Sequence, residues 1–282
     1  MNLILQSLRA PQSSIEAIAA LAGANDVHAI SPKAWRCTDV ASTAEVKAAV
    51  GSAALDAGVD ASFVPPARAL RDFGLVAMDM DSTLITIECI DEIADMQGLK
   101  PQVAAITEAA MRGEIEFAES LTRRVALLKG LAASALQRVY DERLALSPGA
   151  ESMLAAVQAA GLKTLLVSGG FTFFTERMQS RLHLDYSHAN VLEILDGKLT
   201  GKVVGGIVDA QEKRRTVERV CGALGISTRQ AIVMGDGAND LAMMSVAGLS
   251  VAFRAKPVVR AQADVAFNFV GLDGLLALFA KT

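Results

Sequence analysis

The chain has 282 residues, 52% hydrophobic and 21% charged, which excludes a disordered polypeptide and leaves ample sequence for one large domain or two smaller ones. Its 27 Lys and Arg against 31 Asp and Glu give a formal net charge of −4 with no basic tract, which argues against a nucleic-acid partner. No apolar run is long enough for a membrane span, the N-terminus has no signal-peptide pattern, and Cys37, Cys89 and Cys221 form no CxxC pair, so a cytoplasmic protein with reduced thiols is expected.

Residues 1 to about 70 read as a small α+β unit. Asn2 to Leu8 suits a strand, and Ser13 or Ser14 suits the cap of a helix running through Leu21, which Gly23 would end. A β-like stretch follows from Val27 to about Val40. A helix from Thr43 through Leu55 and a last strand at Ser62-Phe63-Val64 complete the unit, and Pro65-Pro66 marks a linker.

From Gly74 onward strands alternate with helices, the pattern of a doubly wound parallel sheet. Leu75-Val76-Ala77-Met78 is a short apolar run suited to a strand buried on both faces, and it leads into Asp79-Met80-Asp81-Ser82-Thr83. About 86–146 reads as almost wholly helical, far more than one crossover needs, and its place after the first strand suits a lid. Ser147 is the expected N-cap of the next helix, with Pro148 at its first position. Lys163 to Val167 is a second buried strand ending in Ser168-Gly169-Gly170, and Asp196-Gly197 signals a hairpin within Leu192 to Val204. Lys213 falls in a helix. Ala231 to Met234 is a third buried strand, ending in Gly235-Asp236-Gly237-Ala238-Asn239-Asp240, and Leu249–Phe253 and Ala263–Phe267 suit edge strands.

In such a sheet the carboxyl ends of parallel strands share one edge, where ligands bind. Three strand ends here carry polar chemistry: Asp79 with Asp81, Ser168 with Gly169, and Asp236 with Asn239 and Asp240. Side chains at i and i+2 point to one side of a strand, so Asp79 and Asp81 are expected to share a site. Carboxylates, a hydroxyl, free backbone N–H groups and Lys213 suit magnesium and a phosphate. Zinc would want His or Cys ligands, and His28, His183 and His188 lack ligand spacing.

A carboxylate attacking a phosphate dianion meets strong repulsion. A unit pair at about 4 Å is worth roughly 4 kcal/mol at an effective dielectric of 20, and a dianion about doubles it. Cations beside the phosphate are therefore required, and a second carboxyl group must be protonated to release the alcohol. Other readings of the same residues fail. An EF-hand would need Gly at position 84 and Glu at position 90, where Leu84 and Ile90 stand. The Gly235 segment lacks the third glycine of a dinucleotide fingerprint, and Ser168 is not in a GxSxG elbow.

Asp79-Met80-Asp81-Ser82-Thr83, Ser168-Gly169-Gly170, Lys213 and Gly235 to Asp240 resemble the four motifs of the haloacid dehalogenase (HAD) superfamily. Glu88-Cys89-Ile90-Asp91-Glu92-Ile93-Ala94, Arg124 to Lys129 and Val167 to Phe171 are similar to the phosphoserine phosphatase family within it. The resemblance runs from Gly74 to about Phe267. It implies an α/β HAD-type fold at 71–282 with a helical cap insertion at about 86–146, and magnesium-dependent hydrolysis of O-phospho-L-serine through an aspartyl-phosphate in serine biosynthesis.

The same resemblance implies the roles. Asp79 would be the nucleophile and Asp81 the acid and base. Asp79, Asp236 and the Asp81 backbone carbonyl would hold magnesium, with Asp240 supporting them. Ser168, Gly169 and Lys213 would hold the phosphoryl group, and Asn239 would contact phosphate or substrate. In the cap, Glu88 would take the substrate ammonium and Arg124 its carboxylate, with Met111 and Phe117 as apolar pocket walls. The N-terminal unit resembles an ACT-type (ferredoxin-like) domain in architecture. Its first strand–helix turn has Pro11 and no Gly, so a dimerising or structural role in a homodimer stands beside amino-acid binding. Two other readings remain: phosphoryl transfer to another amino-acid hydroxyl, and a non-catalytic amino-acid or phosphate sensor. The intact Asp79, Asp81, Lys213 and Asp236 set favours an enzyme.

Overall fold

The structure is a computed structural model describing residues 1–66, 68–111 and 114–279. It begins with strand β1 (Asn2–Gln6), helix α1 (Gln12–Leu21), the hairpin β2 (Asp26–Ser31) and β3 (Ala34–Thr38), helix α2 (Ala44–Asp56) and β4 (Asp60–Val64). These strands form an antiparallel sheet in the order β2-β3-β1-β4, a split βαβ arrangement. Thr43 caps α2 through its side chain, accepting from the Val46 N–H. The cap expected at Ser13 or Ser14 is absent: α1 starts at Gln12 behind Pro11, so both serines lie inside the helix.

All five residues of β1 are buried, for two different reasons. Leu3 and Leu5 face Ile15, Ile18 and Val50 of the unit's own helices. Ile4, pointing the other way, joins the core of the larger unit together with Val64. Period-two alternation thus gives one strand a core on each side.

The second unit starts with β5 (Leu75–Met78) and continues through the helices α3 (Cys89–Asp95), α4 (Lys100–Met111), α5 (Phe117–Leu127) and α6 (Ser134–Glu142). A bridge between Ile85 and Leu146 closes this helical excursion at its base. Next come α7 (Ala150–Ala159), β6 (Lys163–Phe171), α8 (Thr172–Leu182), the hairpin β7 (Tyr186–Leu195) and β8 (Lys198–Val204), and α9 (Ala210–Leu224). The chain finishes with β9 (Ala231–Gly235), α10 (Leu241–Met244), β10 (Leu249–Phe253), α11 (Pro257–Arg260), β11 (Val265–Phe267) and α12 (Gly274–Ala277).

These strands make one seven-stranded sheet, β11-β10-β9-β5-β6-β7-β8, parallel except for the β7–β8 hairpin. β5 is its middle strand, between β6 and β9. Val76 and Met78 pack on one face with Met153, Val157 and Phe174. Leu75 and Ala77 pack on the other with Val217 and Met243. The N-cap of α7 is Gly149 at φ +78, so Ser147 and Pro148 lie before the helix. A side chain at Gly149 would also collide with Asp273, so packing here overrides the sequence signal.

Candidate active site

β5 ends at Met78, so both aspartates stand on the tight turn that follows it. Asp79 and Asp81 keep extended backbone angles (ψ 161 and 134), while Ser82 reverses the chain at φ +56. Met80 between them is fully buried in the core. Alternation therefore carries past the strand, and Asp79 and Asp81 both line a cavity of about 580 Å³ at the carboxyl edge of the sheet.

The same cavity brings together Ser168 and Gly169 from β6, Asp236 and Asn239 after β9, and Glu88, Phe117 and Arg124 from the helical insertion. Lys213, expected to hold the phosphoryl group, has no exposed surface. Its ammonium is 2.8 Å from Asp79 Oδ1 and 2.8 Å from Asp240 Oδ1. The Met111 side chain, expected as a wall, lies outside the described residues.

The hydrogen bonds divide the three clustered carboxylates by task. Oxygen atoms of Asp79, Asp236 and Asp240 lie within 4.8 Å of one another, an all-oxygen set of the kind hard divalent cations prefer. Asp240, with no exposed surface, is committed to the protein: Oδ1 accepts from Lys213 (2.8 Å), and Oδ2 accepts the N–H groups of Asp236 (3.1 Å) and Gly237 (3.0 Å). Asp236 accepts one side-chain bond, from Thr83 Oγ1 at 3.3 Å. Asp79 Oδ1 accepts the Met80 N–H at 2.7 Å as well as the lysine. The Asp81 side chain is outside this cluster; its Oδ1 accepts the Cys89 N–H at 3.4 Å.

Burial dominates the electrostatics. It raises the Asp79 carboxyl well above its usual value, with Asp240 and Asp236 adding repulsion against the opposing pull of Lys213. Asp81 rises to about 7, through burial first and then the Glu88 charge. Asp236 also rises to about 7, through burial and then Asp240. Burial alone would discharge Lys213, but Asp240 and Asp79 outweigh it and hold the ammonium charged.

The insertion sits close on the strand ends. A Cβ on Gly169 would meet the Phe117 ring at 2.9 Å, and one on Gly170 would meet Asp81 Oδ2 at 2.8 Å. Only glycine lets the backbone approach the site this closely. Ser168 Oγ accepts the Gly170 N–H at 2.8 Å and keeps its own proton to donate. Glu88, before α3, accepts from Ser82 Oγ at 2.6 Å. Arg124 is largely buried, and its Nε has no acceptor among the described residues.

Four contributors escaped the sequence reading. Asn190 is buried in β7, donates to the Gly169 carbonyl at 2.7 Å and accepts the Val208 N–H at 2.8 Å, fixing the Ser168–Gly169 segment. Its signal was a polar residue in an apolar-alternating strand. Asp91, three residues after Glu88 and hence on the same helix face, also lines the cavity; its Oδ1 is buried without a donor among the described residues. Thr83 steadies Asp236, and Lys256 lines the cavity while its N–H donates to the Asp236 carbonyl at 3.1 Å. No spacing rule reaches Lys256, which only the fold brings near.

Residues 73–248 match the haloacid dehalogenase-like hydrolases, and residues 3–46 match a domain of unknown function. A phosphoserine phosphatase of Polaromonas sp. is 59% identical over 226 residues, covering 78% of this chain and 96% of that protein. The crystal structure of a probable phosphoserine phosphatase from Vibrio cholerae, unliganded, superposes with a TM-score of 0.82 at 34% identity, covering 99% of this chain and 86% of the other. A phosphoserine phosphatase structure described as a phospho-aspartyl intermediate analogue superposes with a TM-score of 0.69 at 36% identity, covering 74% of this chain and 99% of the other.

Proposed function

Because the chain belongs to the haloacid dehalogenase-like hydrolase family, we propose that it hydrolyses O-phospho-L-serine to serine and phosphate through an aspartyl-phosphate. The observation that carries this reading is a single cavity lined by both Asp79 and Asp81 and by Glu88 and Arg124. The first pair suits a phosphate ester and the second the charges of an amino acid.

Two donors on Asp79 Oδ1 fix the rotation of that carboxylate and leave Oδ2 as the attacking oxygen. Attack forms the Asp79–phosphorus bond and breaks the bond from phosphorus to the serine oxygen. That oxygen takes the proton of Asp81, whose raised pKa keeps a protonated fraction near neutrality. In the second step Asp81, now ionised, takes a proton from water as the water oxygen attacks phosphorus, and Asp79 is released. Ser168 Oγ and the Gly169 N–H hold phosphoryl oxygens throughout. Lys213 favours the ionised form of Asp79 against the effect of burial and orients its carboxylate.

Asp79, Asp236 and the Asp81 backbone carbonyl are the groups that would hold magnesium, Asp240 being already committed to Lys213 and two N–H groups. When bound, the cation supplies positive charge against the phosphoryl oxygens, which the repulsion between two anions demands. At the cap end, Arg124 would grip the substrate carboxylate and Glu88 its ammonium.

The test is kcat/KM for magnesium-dependent phosphate release from phosphoserine, phosphoethanolamine and phosphoglycolate. Arg124→Ala should cost phosphoserine far more than phosphoethanolamine, which has no carboxylate. Glu88→Gln should penalise phosphoserine more than phosphoglycolate, which has no ammonium. Equal losses on all three substrates would refute recognition of an amino acid, and undiminished activity after exhaustive chelation would refute the metal.

A further inference from the structure

We propose that the cleft between the N-terminal unit and the α/β unit binds a small organic carboxylate with an apolar body. The cleft encloses about 740 Å³, more than the catalytic cavity, and is formed by residues of both units. Cavities between structural units are favoured places for ligands.

The floor of the cleft is polar and incompletely satisfied. Gln6, at the end of β1, is 3% exposed, and its Nε2 has no acceptor among the described residues. A buried amide donor left unpaired is costly, so a ligand that accepts from it is favoured over one that does not. A Cβ on Gly274 would meet Val270 Cγ2 at 2.6 Å and Gln6 Oε1 at 3.1 Å, so the backbone at Gly274 lies close against both.

The rim is cationic. Lys33, Arg36 and Arg254 line the cleft, against Asp273 as the one lining carboxylate. Arg36 is already committed, donating to the Ala277 carbonyl at 3.1 Å and the Phe279 carbonyl at 2.7 Å. Lys33 and Arg254 make no ion pair among the described residues. Arg254 is also held in the left-handed region at φ +46, which costs a non-glycine residue energy and fixes where its side chain leaves the chain. Leu8, Ile30, Val270 and Leu276 supply apolar wall. Two cations without ion pairs among the described residues, of which Arg254 lies over the Phe253 ring at 5.3 Å, together with an unpaired amide donor and apolar walls, select an anion that accepts hydrogen bonds and has hydrocarbon to bury.

The experiment is ligand-detected NMR on the full chain, using a set of small aryl and alkyl monocarboxylates, each paired with its primary amide. Expected is saturable binding of carboxylates in preference to their amides, at one site per chain. Lys33→Glu and Arg254→Glu, both on exposed residues, should each weaken it by about tenfold or more, the size of one lost charge-assisted hydrogen bond. Gln6→Leu should weaken it too, with folding checked by circular dichroism. Asp79→Asn should leave it unchanged. Absence of saturable binding across the set, equal binding of acids and amides, or loss of binding in Asp79→Asn would overturn the proposal. So would binding that appears only after residues 280–282 are removed, since the chain's own end would then be the occupant.

Discussion

The proposed mechanism asks one carboxyl group to be an acid in one half of the reaction and a base in the other, and it assigns both tasks to Asp81. Burial and the Glu88 charge lift it to about 7, so its protonated form is present below that pH and is lost as pH rises through it. With phosphoserine, whose alkoxide leaving group needs the proton, kcat/KM should fall above about pH 7. With p-nitrophenyl phosphate, whose leaving group needs none, the alkaline limb should be flatter. Parallel pH profiles for the two substrates would remove Asp81 from the acid role. Lys213 presents a different problem, since it is a fully buried cation between two carboxylates, Asp79 and Asp240. Removing it leaves both charges buried and unpaired, a loss of about 3–5 kcal/mol. Lys213→Met should therefore lower the urea midpoint by that equivalent and abolish turnover. A stable but inactive Lys213→Met would show that its contribution is electrostatic at Asp79 alone.

At the scale of elements, the helical insertion is seated by contacts at both ends. Its base is the Ile85–Leu146 bridge. Its far side leans on the β7–β8 hairpin through the Gly130 N–H to the Leu199 carbonyl and the Ala133 N–H to the Gly197 carbonyl, each 2.8 Å. At the cavity itself the decisive contact is the Phe117 ring over Gly169. Gly169→Ala should force that ring away, lowering kcat/KM for phosphoserine by roughly tenfold, equivalent to about 1.4 kcal/mol and within the usual cost of overpacking. In a Phe117→Ala background the same substitution should cost clearly less, because nothing is left to collide. Additive losses in that double-mutant cycle would mean that Gly169 acts through its own backbone and independently of the cap.

Over the whole molecule, the two sheets are joined by an acid that looks misplaced in β4. Asp60 is 1% exposed, and its carboxylate accepts the backbone N–H groups of Asn268 (2.7 Å), Phe269 (2.9 Å) and Val270 (3.0 Å) just after β11. Burial pulls its pKa up against those bonds. Asp60→Ala would leave three donors without an acceptor, a cost of about 3 kcal/mol or more at about 1 kcal/mol or more each. The expected result is a lower urea midpoint and faster proteolysis at 65–72, while Asp60→Asn, which keeps an acceptor oxygen, loses less. Wild-type stability in Asp60→Ala would mean that the apolar contact of Ile4 and Val64 with the larger core holds the units together unaided.

What the sequence determined by itself was local. Apolar runs of four or five residues mark β5 and β9, because a strand buried on both faces must be apolar throughout. Asp196-Gly197 marks its hairpin because both residues adopt positive φ, at 49 and 73. Asp79, Asp81, Asp236 and Asn239 were legible because they follow buried strands, and a doubly wound sheet brings those ends to one edge. Tertiary structure decided the rest. Lys213 is legible from its motif, but its ion pairs with Asp79 and Asp240 depend on the packing of α9 against β6, a matter of helix placement that spacing does not encode. Ser147-Pro148 has the chemistry of a helix start, but the close approach of Asp273 to Gly149, over a hundred residues away in sequence, moves that start to Ala150. Asn190, Lys256 and Asp60 carry no motif, because what each bonds to is a backbone group from a distant segment. Periodicity and motifs report what a residue does with its chain neighbours; a bond between distant segments exists only once packing has set their distance.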